Sequence, residues 1–85
     1  MARVWAGGTP ITVACDERGR PLSFRWGKTS YEIEHICNRW RVHEAWWESD
    51  EAWWEYIKLA TTDGLLCLIA QDLHKNSWFL MRIYD

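Results

Sequence analysis

The chain has little of what catalytic chemistry requires. It contains no glycine-rich phosphate loop and no nucleophile elbow. Its three cysteines, Cys15, Cys37 and Cys67, are an odd number without C-x-x-C spacing, which argues against a disulfide framework. They read as reduced, mostly buried thiols of a cytoplasmic protein. No apolar run approaches the roughly 20 residues of a membrane span; the longest, Leu65 to Ala70, has strand length. The first ten residues have one arginine and no apolar core like that of a secretory signal. His35 and Cys37 stand two apart with His43 following, but zinc needs three or four ligands in tetrahedral reach. Neither a metal, a cofactor nor an enzymatic activity is expected.

What the sequence does have is tryptophan: eight in 85 residues. A chain this short buries only about 60% of its unfolded surface, so its core must be dense, and aromatic side chains supply that density. Half of the tryptophans lie in Glu44 to Glu55, where EAWWE occurs twice around Ser49 and Asp50. The net charge of −2 conceals an asymmetry. Up to Val42 there are seven basic and four acidic residues; from His43 onward there are three basic and eight acidic. A protein that grips duplex DNA alone is normally basic overall, because neutralised phosphates supply most non-specific affinity. The polarity instead suits a surface that orients a protein partner.

Residues 1–10, with Gly7, Gly8 and Pro10, are expected as a flexible leader, leaving 11–85 as a single small β domain. Ile11, Val13 and Cys15 alternate on one strand, and Leu22, Phe24 and Trp26 on the next. A longer strand is predicted from Tyr31 to about Trp47. Its apolar residues change parity after Ile33, so a bulge near Glu34-His35 is expected to restore one inward face and bend the strand. Ile57 and Leu59 mark a further strand, Asp63-Gly64 a hairpin turn, and Leu65 to Gln71 the return. The last strand, Trp78 to Tyr84, is apolar on both faces and belongs inside a layered or closed sheet. The expected fold is all-β: an antiparallel meander of about six strands forming a small SH3-like barrel or a strongly curled sheet.

Two local structures fit the doubled block. As a hairpin it turns at Glu48-Ser49-Asp50-Glu51, and the tryptophan pairs face each other across the ladder with one of each pair outward. As a helix, Trp46/Trp53 and Trp47/Trp54 align seven residues apart on one face. Either way Trp46, Trp47, Glu48, Asp50, Glu51, Trp53 and Trp54 are the candidate partner-binding residues, and the carboxylates, Glu55 included, read as solvated charges. Arg25, Lys28, Arg39 and Arg41 are the candidate nucleic-acid contacts, with Arg39 and Arg41 on the face opposite Trp40 and that tryptophan in the core.

In order, Pro21-x-x-Phe24-x-Trp26, Trp46-Trp47, Tyr56-Ile57-Lys58-Leu59, Asp63-Gly64 and Trp78-x-Leu80 form a skeleton. This skeleton resembles a family of small bacterial domains of unknown function. They are found alone and as the C-terminal domain of ImuB-like proteins, degenerate relatives of Y-family DNA polymerases. The resemblance runs from Ile11 to the C-terminus and implies an accessory role in DNA-damage tolerance, with a mutasome polymerase component as partner. Relatives look more basic after the double tryptophan, where this chain has Glu48, Asp50, Glu51 and Glu55. Three functions follow as expectations: a protein-interaction adaptor in translesion synthesis, a single-stranded nucleic-acid binder, and an aromatic cage for a peptide.

Overall fold

The computed structural model describes the backbone of residues 3–45 and 51–84 and the side chains of 8–43 and 53–84. Six strands follow one another: β1 (Arg3–Cys15), β2 (Pro21–Trp26), β3 (Thr29–Ala45), β4 (Glu51–Thr61), β5 (Leu66–Asp72) and β6 (Ser77–Tyr84). Each pairs antiparallel with the next, and β6 pairs back onto β1, so the meander closes into a barrel. Among the described residues there is no helix, and so none long and apolar enough to cross a membrane.

Alternation explains the inward faces. Val13 lies opposite Phe24, and Phe24 opposite Tyr31, so one parity of β1, β2 and β3 points the same way. Phe24, Ile57, Leu59, Cys67, Ile69, Leu80 and Ile83 form the buried core. Burying a side chain of this size stabilises by about 1.5–3 kcal/mol, which is why so few of them carry the fold. β6 is paired on both edges, to β5 and β1, as expected of a closed sheet, and Leu80 and Ile83 are its buried residues.

The turns are closed by their own polar groups. Asp16 Oδ1 accepts the Arg20 N–H at 2.8 Å and the Arg18 N–H at 2.9 Å. Those donors, Arg20 foremost, hold the Asp16 carboxyl below its usual range. At the Asp63-Gly64 turn, Thr61 N–H donates to Leu65 O at 2.9 Å and Leu65 N–H donates to Thr61 Oγ1 at 3.0 Å. Gly64 takes φ +89° there, the left-handed conformation a glycine reaches without strain.

The strand that contains Ile11 begins earlier than the alternation suggests. β1 takes in residues 3–10, and its register with β6 breaks between Val4 and Thr9. Gly8 sits in that break at φ +79°, where a Cβ would lie 2.6 Å from Met81 Sδ and 2.8 Å from the Phe79 Cβ. The glycine that looks like a leader residue is instead a close-approach position between two strands.

β3 positions everything that follows. Its first residues, Thr29 to Glu32, pair with β2, and from Ile33 it pairs with β4. The bulge expected near Glu34-His35 is present as a register shift between Ile33 and His35. A second shift lies between Ile36 and Asn38. One extra residue exchanges the faces of everything beyond it. The first bulge returns Ile36 to the inward side, opposite the buried Leu59. The second puts Arg39 opposite the buried Ile57 and Arg41 opposite Glu55, so the arginines face inward and Trp40 and Val42 face outward. The expectation of a core Trp40 is therefore reversed.

Candidate interaction surface

Beyond the core, β3 and β4 continue together to Ala45 opposite Glu51, while β5 pairs with β4 only from Trp54 onward. The two strands thus form an arm at one end of the barrel. Glu51 opens β4, so the second EAWWE copy is strand, in keeping with the hairpin and not the helix. Trp46, Trp47, Glu48 and Asp50, with the expected turn, lie outside the described residues, as does the side chain of Glu51. The tryptophans do not pair across the ladder as expected. Trp53 stands opposite His43 and Trp54 opposite Val42, in the register that runs unbroken from Asn38 opposite Lys58 to Ala45 opposite Glu51.

The inward side of the arm carries a charge cluster. Arg39 Nη2 donates to Glu55 Oε1 at 2.7 Å, and Arg41 Nε donates to Glu55 Oε2 at 3.4 Å. Glu55 is not a solvated charge: its side chain is 8% exposed, against 38% for Arg39 and 65% for Arg41. The Arg39 hydrogen bond, with the charges of both arginines, outweighs burial and holds the Glu55 carboxyl below its usual range. The same bond raises Arg39. Past this cluster the rings of His43 and Trp53 stack at 4.2 Å, and the Leu73 N–H donates to Trp53 O at 2.9 Å, tying the β5–β6 turn to the arm.

The outward side is aromatic. Trp40 stacks on Tyr56 with centroids 5.7 Å apart, and Trp54 meets Phe79 at 5.9 Å. Further along, Lys58 Nζ and Arg82 Cζ lie 4.8 and 5.5 Å from the centre of the Tyr84 ring. Trp40 stays 38% exposed and Trp53 39%, so a tryptophan is offered on each side of the arm. Leu22, at 51%, is the other exposed large apolar residue among those described. It was expected inside with Phe24 and Trp26; it is outside because β2 and β3 stop pairing after Ser23 opposite Glu32.

The four candidate nucleic-acid cations fall into two groups. Arg25, near the end of β2, and Lys28, in the β2–β3 turn, form one group, and Arg25 Nε donates to Gly27 O at 3.3 Å. Arg39 and Arg41 sit on the arm and share Glu55. Two clefts formed by described residues, one bordered by Pro10, Ile11 and Arg25 and one by Leu22, His35, Ile36 and Arg39, have no Trp, Tyr or Phe in their walls. Among the described residues no group of three or more His, Cys, Asp or Glu is placed to hold a metal ion. Of the cysteines only Cys67 is buried, its thiol pushed up to about 12 by desolvation; Cys15 and Cys37 are exposed, correcting the expectation of mostly buried thiols. The second bulge falls at Cys37, which is why no inward place exists for it.

Comparisons of the chain with protein-family models, with curated proteins and with solved structures find no match. The arm and its two faces are therefore interpreted from their chemistry.

Proposed function

We propose that the chain is a non-enzymatic protein-interaction module whose contact surface is the β3–β4 arm. The observation that carries this reading is the outward Trp40, stacked on Tyr56 yet well exposed, on a strand that a bulge has turned to present it. Tryptophans held rigid by a neighbour and open on the other side are the side chains that dominate protein interfaces. Trp53 adds a second anchor on the opposite face. In sequence, Glu48 and Asp50 between β3 and β4, with Glu51 at the start of β4, give this stretch the sign that steers a basic partner surface.

A place in bacterial DNA-damage tolerance, with a mutasome polymerase component as partner and a cytoplasmic location, rests on the resemblance of the Pro21-to-Leu80 skeleton alone. Binding assays with purified translesion-polymerase components test both parts. Trp40→Ala and Trp53→Ala should remain folded and bind at least about tenfold more weakly, as expected for interface tryptophans. Retained affinity in both variants would show that the arm is not the contact surface.

Single-strand nucleic-acid binding is the weaker reading, because Arg39 and Arg41 are already engaged by Glu55. It requires quenching of tryptophan fluorescence by an oligonucleotide, with a steep loss as salt rises.

A further inference from the structure

β3 has a second edge that no described strand covers. β2 pairs with it only as far as Glu32, and β4 occupies the other side, so from Ile33 to Ala45 one edge is open among the described residues. An open edge is a template for another strand unless bulges or charge protect it. Both bulges fall at its start, and from Asn38 to Ala45 the strand runs in unbroken register with β4. Charge does not protect it either. Arg39 and Arg41 are both engaged by Glu55, and Glu44 lies on the same stretch of strand, so this edge is balanced and repels neither sign.

The backbone groups along the edge alternate. The Arg39 N–H donates to Asn38 Oδ1 at 2.8 Å, which turns it away from β4, and every second residue from there to Ala45 faces the same way. Where β2 and β3 part, a cleft of about 430 Å³ bordered by Leu22, Ile36 and Arg39 leaves room beside Arg39 for the end of an incoming strand.

The sequence along this edge is complementary to itself in one register. Two copies related by a twofold axis perpendicular to the sheet keep their faces, so each residue meets one of its own parity. Centred on Arg39, Trp40 or Arg41, such pairing sets arginine opposite arginine, which destabilises a cross-strand pair. Centred on Glu44 it sets glutamate opposite glutamate, and centred on His43 it runs Arg39 past Ala45, the last residue of the other copy's β3. Centred on Val42 it opposes no two like charges. Val42 then meets its own copy, Arg41 meets His43, Trp40 meets Glu44, and Arg39 exchanges ladder bonds with Ala45 at both ends.

We propose that two copies of this chain pair antiparallel along the open edge of β3, centred on Val42, so that one continuous sheet joins their barrels. A balanced edge selects no charged peptide, whereas a second copy supplies the matching register itself. The proposal goes beyond the aromatic face of the arm, which stays on the outer side of the joined sheet.

From Arg39 to Ala45 the ladder spans about 23 Å at roughly 3.3 Å per residue. A contact of one strand with another is smaller than a permanent interface, so the dimer forms as concentration rises. Sedimentation equilibrium between about 5 μM and 1 mM should show monomer passing into dimer. Ala45→Pro removes an N–H from the open edge and none from the ladder to β4, and should weaken association by at least about tenfold in protein whose tryptophan fluorescence shows it folded. The register is tested by cross-linking in a Cys15→Ser, Cys37→Ser background, which removes the exposed native thiols. There diamide should couple Val42→Cys into a dimer at least about tenfold faster than Lys28→Cys in the β2–β3 turn. Facing residues of a narrow antiparallel pair stand about 4.5 Å apart, within disulfide reach. Protein that stays monomeric at about 1 mM overturns the proposal. So does a dimer that cross-links no faster through Val42→Cys than through Lys28→Cys, or whose association a folded Ala45→Pro leaves unchanged, since either puts the contact elsewhere. If Ala45→Pro does not fold, the two cross-linking rates decide.

Discussion

The Arg39–Glu55–Arg41 cluster makes an asymmetric prediction about stability. Removing Arg39 as Arg39→Met keeps most of the aliphatic stem that covers Glu55 but leaves a nearly buried carboxylate with only the long Arg41 contact. The lost charge-assisted bond amounts to about 1.5–3 kcal/mol, and the unsatisfied buried acceptor adds to it, so a destabilisation of about 2–4 kcal/mol is expected. Removing the acid as Glu55→Leu frees two arginines that already reach water. It forfeits the same bond, but the leucine gains apolar burial, and a loss of about 0–1.5 kcal/mol is expected. The double variant should fall near Glu55→Leu, giving a coupling of about 2–4 kcal/mol in a double-mutant cycle. Urea unfolding followed by tryptophan fluorescence measures all four proteins. In melting temperature, each kcal/mol corresponds to about 4–8 °C for a domain of this size. The pH dependence adds a second check. Because the folded Glu55 carboxyl lies below its unfolded value, its contribution is complete above about pH 4.3 and is lost as pH falls through the folded value. In Arg39→Met the carboxylate loses its main partner, so acid should narrow the gap between variant and parent. Equal costs for the two single variants, or a larger cost for Glu55→Leu, would refute the reasoning.

Other outcomes follow from single positions. Thr61→Val removes the hydroxyl that accepts the Leu65 N–H and bonds Asp63 in the β4–β5 turn, and should cost about 1–3 kcal/mol in urea unfolding. Gly8→Ala places a methyl against Met81 and Phe79 at positive φ and should cost at least about 1 kcal/mol, read as a lowered melting temperature. A thiol reagent at neutral pH should label Cys37 readily, Cys15 more slowly because burial and Asp16 push its thiol up, and Cys67 only after unfolding, followed by mass spectrometry. Trp40→Ala should lower stability by no more than about 1 kcal/mol, the scale of one cross-strand aromatic pair, so its effect on binding can be measured on folded protein.

Much of the barrel could be read from residues because alternation is local. Val13, Phe24, Ile57, Leu59, Ile69 and Leu80 announce their faces through their immediate neighbours, and Asp63-Gly64 announces its turn. The first β3 bulge was also legible, since Tyr31, Ile33 and Ile36 break parity in a way only an inserted residue repairs. The second bulge was not. Trp40 and Val42 are apolar and match Ile36 in parity, so the pattern favours keeping them inward; the buried partner that draws Arg39 and Arg41 inward is Glu55, sixteen and fourteen residues away. A local reading cannot weigh a cross-strand ion pair against a tryptophan. For the same reason Glu55 looked like one more surface acid, and Leu22, which continues a perfect alternation with Phe24, gave no sign that its strand neighbour would leave. The repeat itself misled about pairing: identical blocks invite a symmetric ladder, but strand register answers to the positions of bulges.

The bulge at Cys37 has a consequence for how such an arm can change. Cys37 takes up a position of the chain but no place in the ladder, since Ile36 pairs with Leu59 and Asn38 with Lys58. Deleting it would join Ile36 to Asn38 in regular alternation and leave Arg39 and Arg41 inward and Trp40 and Val42 outward. Chains of this design can thus differ in length at this position and keep the same aromatic exterior, the bulge absorbing the difference.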